Sequence, residues 1–227
     1  MQFDVITLFP DFFTTPLNSG LLGKAFDKKI AKVNLVNPRD YTTDKYKKVD
    51  DESYGGGVGM ILKPEPIFAA VESLPTLSRR EVILLTPQGK TMHQGLFREL
   101  ATDYEQLILI CGHYEGIDER VQYLVSREVS LGDFILTGGE IPALALMNGV
   151  VRLLPGTVGK AESLKSESFE SGLLEYPHYT RPANFRGWKV PEVLLSGHHA
   201  EIARWRYQQQ VQRTKSRRPD LLKNDDD

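Results

Sequence analysis

Continuous apolar runs alternate with stretches of helical spacing along most of the chain, and this alternation limits the fold more than any other feature. Val5-Ile6-Thr7-Leu8-Phe9, Val33–Val36, Glu81–Thr86 and Leu107–Cys111 read as strands, with a fifth near 127–131. Pro10 is placed to open a helix, and Leu21, Leu22, Ala25 and Phe26 recur at helical spacing. Pro64–Leu74, 93–103 and a short segment near 117–124 also read as helices, and Glu140–Leu153 as an apolar one. Residues 37–62 form a polar, Gly-rich stretch longer than a simple connection needs. Apolar strands separated by helices predict an α/β fold, a mostly parallel sheet covered on both faces. Ligands in such sheets lie at the C-terminal ends of the strands. Three successive strand ends carry Gly or Pro loops, at 86–89, 112–116 and 132–139. Each alone is ordinary turn chemistry. Together they predict a shared pocket, because glycine lets backbone N–H groups approach a ligand closely.

Charge divides the chain. The net of −2 conceals 18 Lys+Arg against 24 Asp+Glu in residues 1–176, and 10 against 6 in residues 177–227. Arg204, Arg206, Arg213, Lys215, Arg217 and Arg218 follow one another without an acid between them, and Trp205 and Tyr207 lie among them. Cations neutralise phosphates and aromatic rings stack on bases, so RNA is one reading of this cluster. A solvated helix face is the other. Residues 155–176, with Pro155, Gly156, Gly159, Gly172 and a Ser- and Glu-rich run, read as a linker. His198–Arg213 beyond it reads as a helix. The expected organisation is a domain at 1–159, a linker at 160–176 and a small basic domain at 177–227.

Several classes of protein drop out. No run of 18 apolar residues is present to span a membrane, and Met1–Asp4 lacks the start of a secretory signal. One cysteine, Cys111, forms neither an internal disulfide nor a cysteine metal cluster, and it predicts a reducing cytoplasm. The five histidines match no zinc spacing. Gly89-Lys90-Thr91 mimics the end of a P-loop, but Leu84 stands where the first glycine is required. Gly55-Gly56-Gly57-Val58-Gly59 fails the dinucleotide fingerprint at Met60, and no G-x-S-x-G elbow exists.

The loops themselves carry longer patterns. They include Leu8-Phe9-Pro10, Val49-Asp50-Asp51 through Tyr54-Gly55-Gly56-Gly57, and Thr86-Pro87-Gln88-Gly89. Cys111-Gly112-His113-Tyr114-Glu115-Gly116-Ile117-Asp118-Glu119-Arg120 and Leu131-Gly132-Asp133-Phe134-Ile135-Leu136-Thr137-Gly138-Gly139-Glu140 follow. Further on come Tyr176-Pro177-His178-Tyr179-Thr180-Arg181-Pro182, Val193-Leu194-Leu195-Ser196-Gly197 and Arg217-Arg218-Pro219-Asp220-Leu221-Leu222. In this order, over nearly the whole chain, they resemble the bacterial tRNA (guanine-N1)-methyltransferase family, which modifies guanosine 37 beside the anticodon. The resemblance implies the trefoil-knotted α/β fold of SPOUT-class methyltransferases, with S-adenosylmethionine held by the knot loops and a small helical C-terminal domain. It also implies a homodimer with the active site at the subunit interface. Local sequence pattern gives no sign of a knot, since threaded chains are rare.

Methylating N1 of guanine requires removal of the N1 proton and stabilisation of negative charge developing at O6. A positioned carboxylate and a positioned guanidinium meet those needs. By resemblance Arg152 is the guanidinium, although an arginine ending a helix also serves the helix dipole. The family's base is an aspartate in an Asp-Ser-Phe motif. This chain has Glu167-Ser168-Phe169, so Glu167 is the candidate base, one methylene longer, with Glu162 and Glu170 as competitors. Gly112, Leu131, Gly132, Asp133, Phe134, Ile135 and Leu136 match the family's cofactor-contacting segments. Pro87, Gln88, Tyr114, Glu115, Gly138 and Gly139 are further contacts. Apolar members of these segments are also natural core residues. The family's use of Mg²⁺ makes Glu115 or Glu167 its neighbour, but no spacing here defines metal ligands. Val58 replaces a frequent proline, and His198 an asparagine. Two other readings remain: a non-catalytic RNA-binding module, and a knotted methyltransferase acting on a different nucleotide or on ribosomal RNA.

Overall fold

The computed structural model describes residues 1–159, 164 and 166–222. The chain divides into two compact units, Met1–Gly159 and Lys160–Asp227.

In the first unit β1 (Gln2–Ile6) leads through a 3-10 turn at Pro10–Phe13 into α1 (Thr14–Leu17) and α2 (Gly20–Asp27), then β2 (Lys32–Val36). Two short strands, β3 (Asp50–Asp51) and β4 (Ile61–Leu62), precede α3 (Pro64–Glu72). Then come β5 (Arg80–Thr91), α4 (Gln94–Asp103), β6 (Gln106–Cys111), β7 (Gly116–Ile117), β8 (Arg127–Ser130) and α5 (Glu140–Val151). The five longer strands form a wholly parallel sheet in the order β2-β1-β6-β5-β8.

Side chains alternate between two apolar clusters, one on each face. Leu107, Leu109 and Cys111 join Phe3, Val5, Ile83, Leu85 and the inner residues of α2, α4 and α5. Ile108 and Ile110 join Ile6, Val82, Leu84 and the α3 residues Ile67, Ala70 and Val71. Every residue of β6 is buried, which explains why that strand lacks a polar face. Helix α5 carries Pro142 in its first turn, where the missing N–H has no intrahelical acceptor to lose. His93 caps α4 by accepting the Leu96 N–H at Nδ1, 3.2 Å away.

Two strand readings and one helix reading shift. β1 starts at Gln2 rather than Val5 because Asp4 is buried and bonded: Gln106 Nε2 donates to it at 2.8 Å and Asn34 Nδ2 at 3.0 Å. Pro87-Gln88-Gly89 is not a turn that ends a strand. β5 runs on to Thr91, and Val129 pairs with both Leu85 and Lys90 across a register shift, so the four residues 86–89 bulge out of the ladder within the strand. The helix expected near 117–124 is a 3-10 turn at Glu119–Tyr123, after the short strand β7.

The second unit contains the hairpin β9 (Asn184–Phe185) and β10 (Trp188–Lys189), a 3-10 turn at Glu192–Leu194, and α6 (His199–Arg217). α6 has one fully buried side chain, Thr214, whose Oγ1 accepts the Leu174 N–H at 2.9 Å. The Arg218 guanidinium lies 5.8 Å from the Phe169 ring centre. The expected linker falls partly on residues 160–163 and 165, outside the described residues.

Candidate active site

A cavity of about 540 Å³ opens at the C-terminal ends of β5, β6 and β8. Its walls come from the bulge of β5, the turn after β6 and the long loop after β8, the three loops singled out in the sequence. Thr86, Pro87 and Gln88 line it from the first, and Gly112, Tyr114 and Glu115 from the second. Leu131, Gly132, Phe134, Ile135, Leu136, Gly138 and Gly139 line it from the third. Asp133 is not among the lining residues. Phe134 and Ile135 are more than half exposed, so they edge the mouth rather than fill the core.

The second and third loops are locked together. Gly139 donates its N–H to the Gly112 carbonyl at 3.0 Å, and His113 forms an antiparallel bridge with Gly138. Beneath this contact lies a buried polar group that the sequence reading did not find. Glu140 accepts from Thr7 Oγ1 at 2.7 Å, and its Oε2 is 2.7 Å from His113 Nε2. The Phe9 ring packs edge-on against His113, centres 4.8 Å apart, and Thr7 Oγ1 also accepts the Phe9 N–H. A carboxylate at 4% exposure is tolerated only because both oxygens are bonded. The available signal was a glutamate opening an otherwise apolar helix; its partners lie 27 and 133 residues away.

Asp118 also lines the cavity, but it is not a free base. Arg120 grips both carboxylate oxygens at 2.8 Å, and this hydrogen bonding holds the Asp118 carboxyl below the usual range. Glu115 stands at the other rim, its N–H bonded to the Met60 carbonyl at 3.1 Å. Burial, with the Glu140 charge adding to it, pushes the Cys111 thiol well above its ordinary value. Cys111 is therefore expected to resist iodoacetamide at pH 8 in the folded protein and to react fully in guanidinium, as read by intact mass. Alkylation of the native protein would contradict its burial.

Arg152 stands directly after α5, and its N–H bonds the Asn148 carbonyl at 3.2 Å. It belongs to the first unit. Glu167 belongs to the second, partly exposed in a turned segment where the Glu170 N–H bonds its carbonyl at 3.3 Å. The competing Glu162 lies outside the described residues.

Fold and site together define a parallel α/β protein whose ligand cavity is made from glycine-containing loops at adjacent strand ends. The family model described as tRNA (guanine-1)-methyltransferase TrmD matches residues 1–224. A protein of Trichodesmium erythraeum named tRNA (guanine-N(1)-)-methyltransferase is 93% identical over 226 residues, the full length of both chains. Proteins with the same name from Nostoc and Synechocystis are 75% and 74% identical. These alignments span 98% and 97% of this chain, and 88% and 95% of theirs. The chain belongs to the tRNA (guanine-1)-methyltransferase family, whose reaction is methyl transfer to guanine in tRNA, and membership implies S-adenosylmethionine as the methyl donor. No helix among the described residues is long and apolar enough to cross a membrane.

Proposed function

We propose that the chain methylates N1 of guanosine 37 in tRNA, beside the anticodon, and so helps maintain the reading frame. The observation that carries the reading is the convergence of three loops, already matched to the family in sequence, on one cavity at adjacent strand ends. S-adenosylmethionine supplies an activated methyl group. Apolar Leu131, Ile135 and Leu136 suit an adenine ring, and the backbone of Gly112, Gly132, Gly138 and Gly139 suits its polar edge and the ribose. Pro87, Tyr114, Glu115 and Phe134 complete the proposed donor site.

In the proposed reaction the Glu167 carboxylate takes the N1 proton, which frees the N1 lone pair to accept the methyl group. Arg152 donates hydrogen bonds to O6 as negative charge gathers there. The trefoil knot is proposed on the resemblance, with the hydrogen-bonded loops at Gly112 and Gly139 among its segments. The resemblance to the family is what supports a homodimer, with the active site at its interface. Among the described residues no three His, Cys, Asp or Glu side chains are grouped to hold a metal. Mg²⁺ bound through one carboxylate and several waters fits that arrangement, with Glu115 or Glu167 as the carboxylate. The proposed domain at 177–227, joined by a linker at 160–176, supplies the cations for the tRNA backbone. The proposed setting is the cytoplasm, where tRNA is used.

The test is methyl transfer from labelled S-adenosylmethionine to unmodified tRNA bearing guanosines 36 and 37, with nucleoside mapping of the product. N1-methylguanosine at position 37 is expected. Methyl transfer to another nucleotide would overturn the assignment of the target.

A further inference from the structure

The second unit has its own cleft, of about 400 Å³, and nothing in the methyl-transfer chemistry uses it. That volume lies in the range of small-ligand sites, roughly 300–1,000 Å³. Tyr176, His178, Tyr179, Arg181 and Arg206 line it, above an apolar floor that includes Leu194 and Ile202. Among the described residues no carboxylate lines it. The flat groups are already assembled. The Arg206 guanidinium lies over the Tyr176 ring, 4.8 Å from its centre, and the His178 ring is 4.7 Å from the same ring. Glu175 fixes His178 from outside the cleft at 2.8 Å. Tyr179 is half exposed, with its ring centre 6.5 Å from that of Trp205.

An aromatic, cation-rich concavity without an acid suits a planar ring that carries negative charge. Aromatic faces take bases of any sequence by stacking, and arginines take the adjoining phosphate. Every residue matched to the methyl donor belongs to the first unit, and none of them lines this cleft, so the cleft is not the proposed donor site. We propose that this cleft receives a second unstacked nucleotide of the tRNA, with its base against Tyr179 and Tyr176 and its phosphate beside Arg181 and Arg206. This rests on the reading of the chain as a tRNA methyltransferase. It goes further than cations spread along α6, since it predicts that a ring without charge contributes to binding.

The experiment measures the Kd of unmodified tRNA over a range of salt concentrations for the full chain and for Tyr179→Ala, Tyr179→Phe and Arg181→Gln. Thermal melting and S-adenosylmethionine affinity check that each variant is folded. Tyr179→Ala is expected to raise the Kd about 5- to 100-fold, the range for loss of one stacked base, with the salt slope unchanged. Tyr179→Phe, which keeps the ring, is expected to restore wild-type affinity. Arg181→Gln is expected to weaken binding and to reduce the salt slope by about one. A folded Tyr179→Ala protein that binds tRNA within about two-fold of wild type overturns the proposal. So does an Arg181→Gln variant with the slope unaltered. GMP titrated against the wild type and Tyr179→Ala separates the sources: dependence on Tyr179 for GMP but not for tRNA would assign the cleft to a free nucleotide and overturn the RNA assignment. Failure of the wild type to bind tRNA at all would instead sink the methyltransferase reading beneath it.

Discussion

Glu167→Gln is expected to slow methyl transfer by about 10²–10⁴-fold, the usual contribution of a general base, while S-adenosylmethionine binds as before. The amide keeps the length and shape of the side chain and cannot accept the N1 proton. Arg152→Ala is expected to cost about 10²–10³-fold, by removal of the hydrogen-bond donor that meets charge at O6. Arg152→Lys should recover only part of the loss, because an ammonium lacks the planar fork of the guanidinium. Single-turnover methylation with saturating donor and tRNA reads these effects, and donor titration by calorimetry supplies the control. Glu167→Asp is informative in the other direction. It restores the carboxylate of the family motif at the shorter length, so a rate at or above wild type would mean that the longer arm is not required. Near-normal single-turnover rates in Glu167→Gln would remove Glu167 from the mechanism and turn attention to Glu170.

Gly139→Ala is the second large effect. A Cβ there would lie 2.6 Å from Cys111 Cα and 3.0 Å from Gly112 N. Those atoms are backbone, so no rotamer change relieves the overlap. The loops must part, and the Gly139 N–H bond to Gly112 goes with them. The destabilisation is expected to exceed the roughly 1–3 kcal/mol of ordinary core overpacking. Donor affinity is expected to fall at least about ten-fold, equivalent to about 1.4 kcal/mol, because both loops wall the cavity. Gly159→Ala is the matched control. Among the described residues nothing lies within 4 Å of its Cβ position, and its cost should stay within about 0.5 kcal/mol. Melting temperature and donor Kd distinguish the two. Equal behaviour would show that the contact between the two loops is loose.

What the sequence makes legible follows from where the relevant partners lie. β6 is plain in the chain because burial of every residue demands a nearly unbroken apolar run, and α5 because most of its residues are apolar and face the core. The cavity is legible because glycine and proline mark interruptions of the strand ladder, after β6 and β8 and within β5. Asp4 breaks the pattern of β1, and only its distant partners, Asn34 and Gln106, 30 and 102 residues later, explain why a carboxylate belongs there. Glu140 is opaque in the same way until His113 and Thr7 are beside it. Pro87-Gln88-Gly89 has turn chemistry, yet the pairing of Val129 with strand residues on both sides makes it a bulge. The roles proposed for Arg152 and Glu167 come from resemblance alone. A helix-end arginine and an acid in a polar segment have nothing in their surroundings that distinguishes them by pattern. The proposed knot leaves no local trace, because threading is a property of distant segments.

The sheet order also bears on synthesis of the chain. β1 is made first and finishes between β2 and β6, with Gln2 facing Lys32 on one side and Gln106 on the other. At about 5–20 residues per second, the 70 residues from Val36 to Gln106 take roughly 4–14 s to translate. Throughout that interval one edge of an apolar strand has no partner, the condition in which chains pair with one another. A ribosome that stalls between α3 and β6 therefore leaves a nascent chain with an open, adhesive β1, one that chaperones must shield until residue 111 is out.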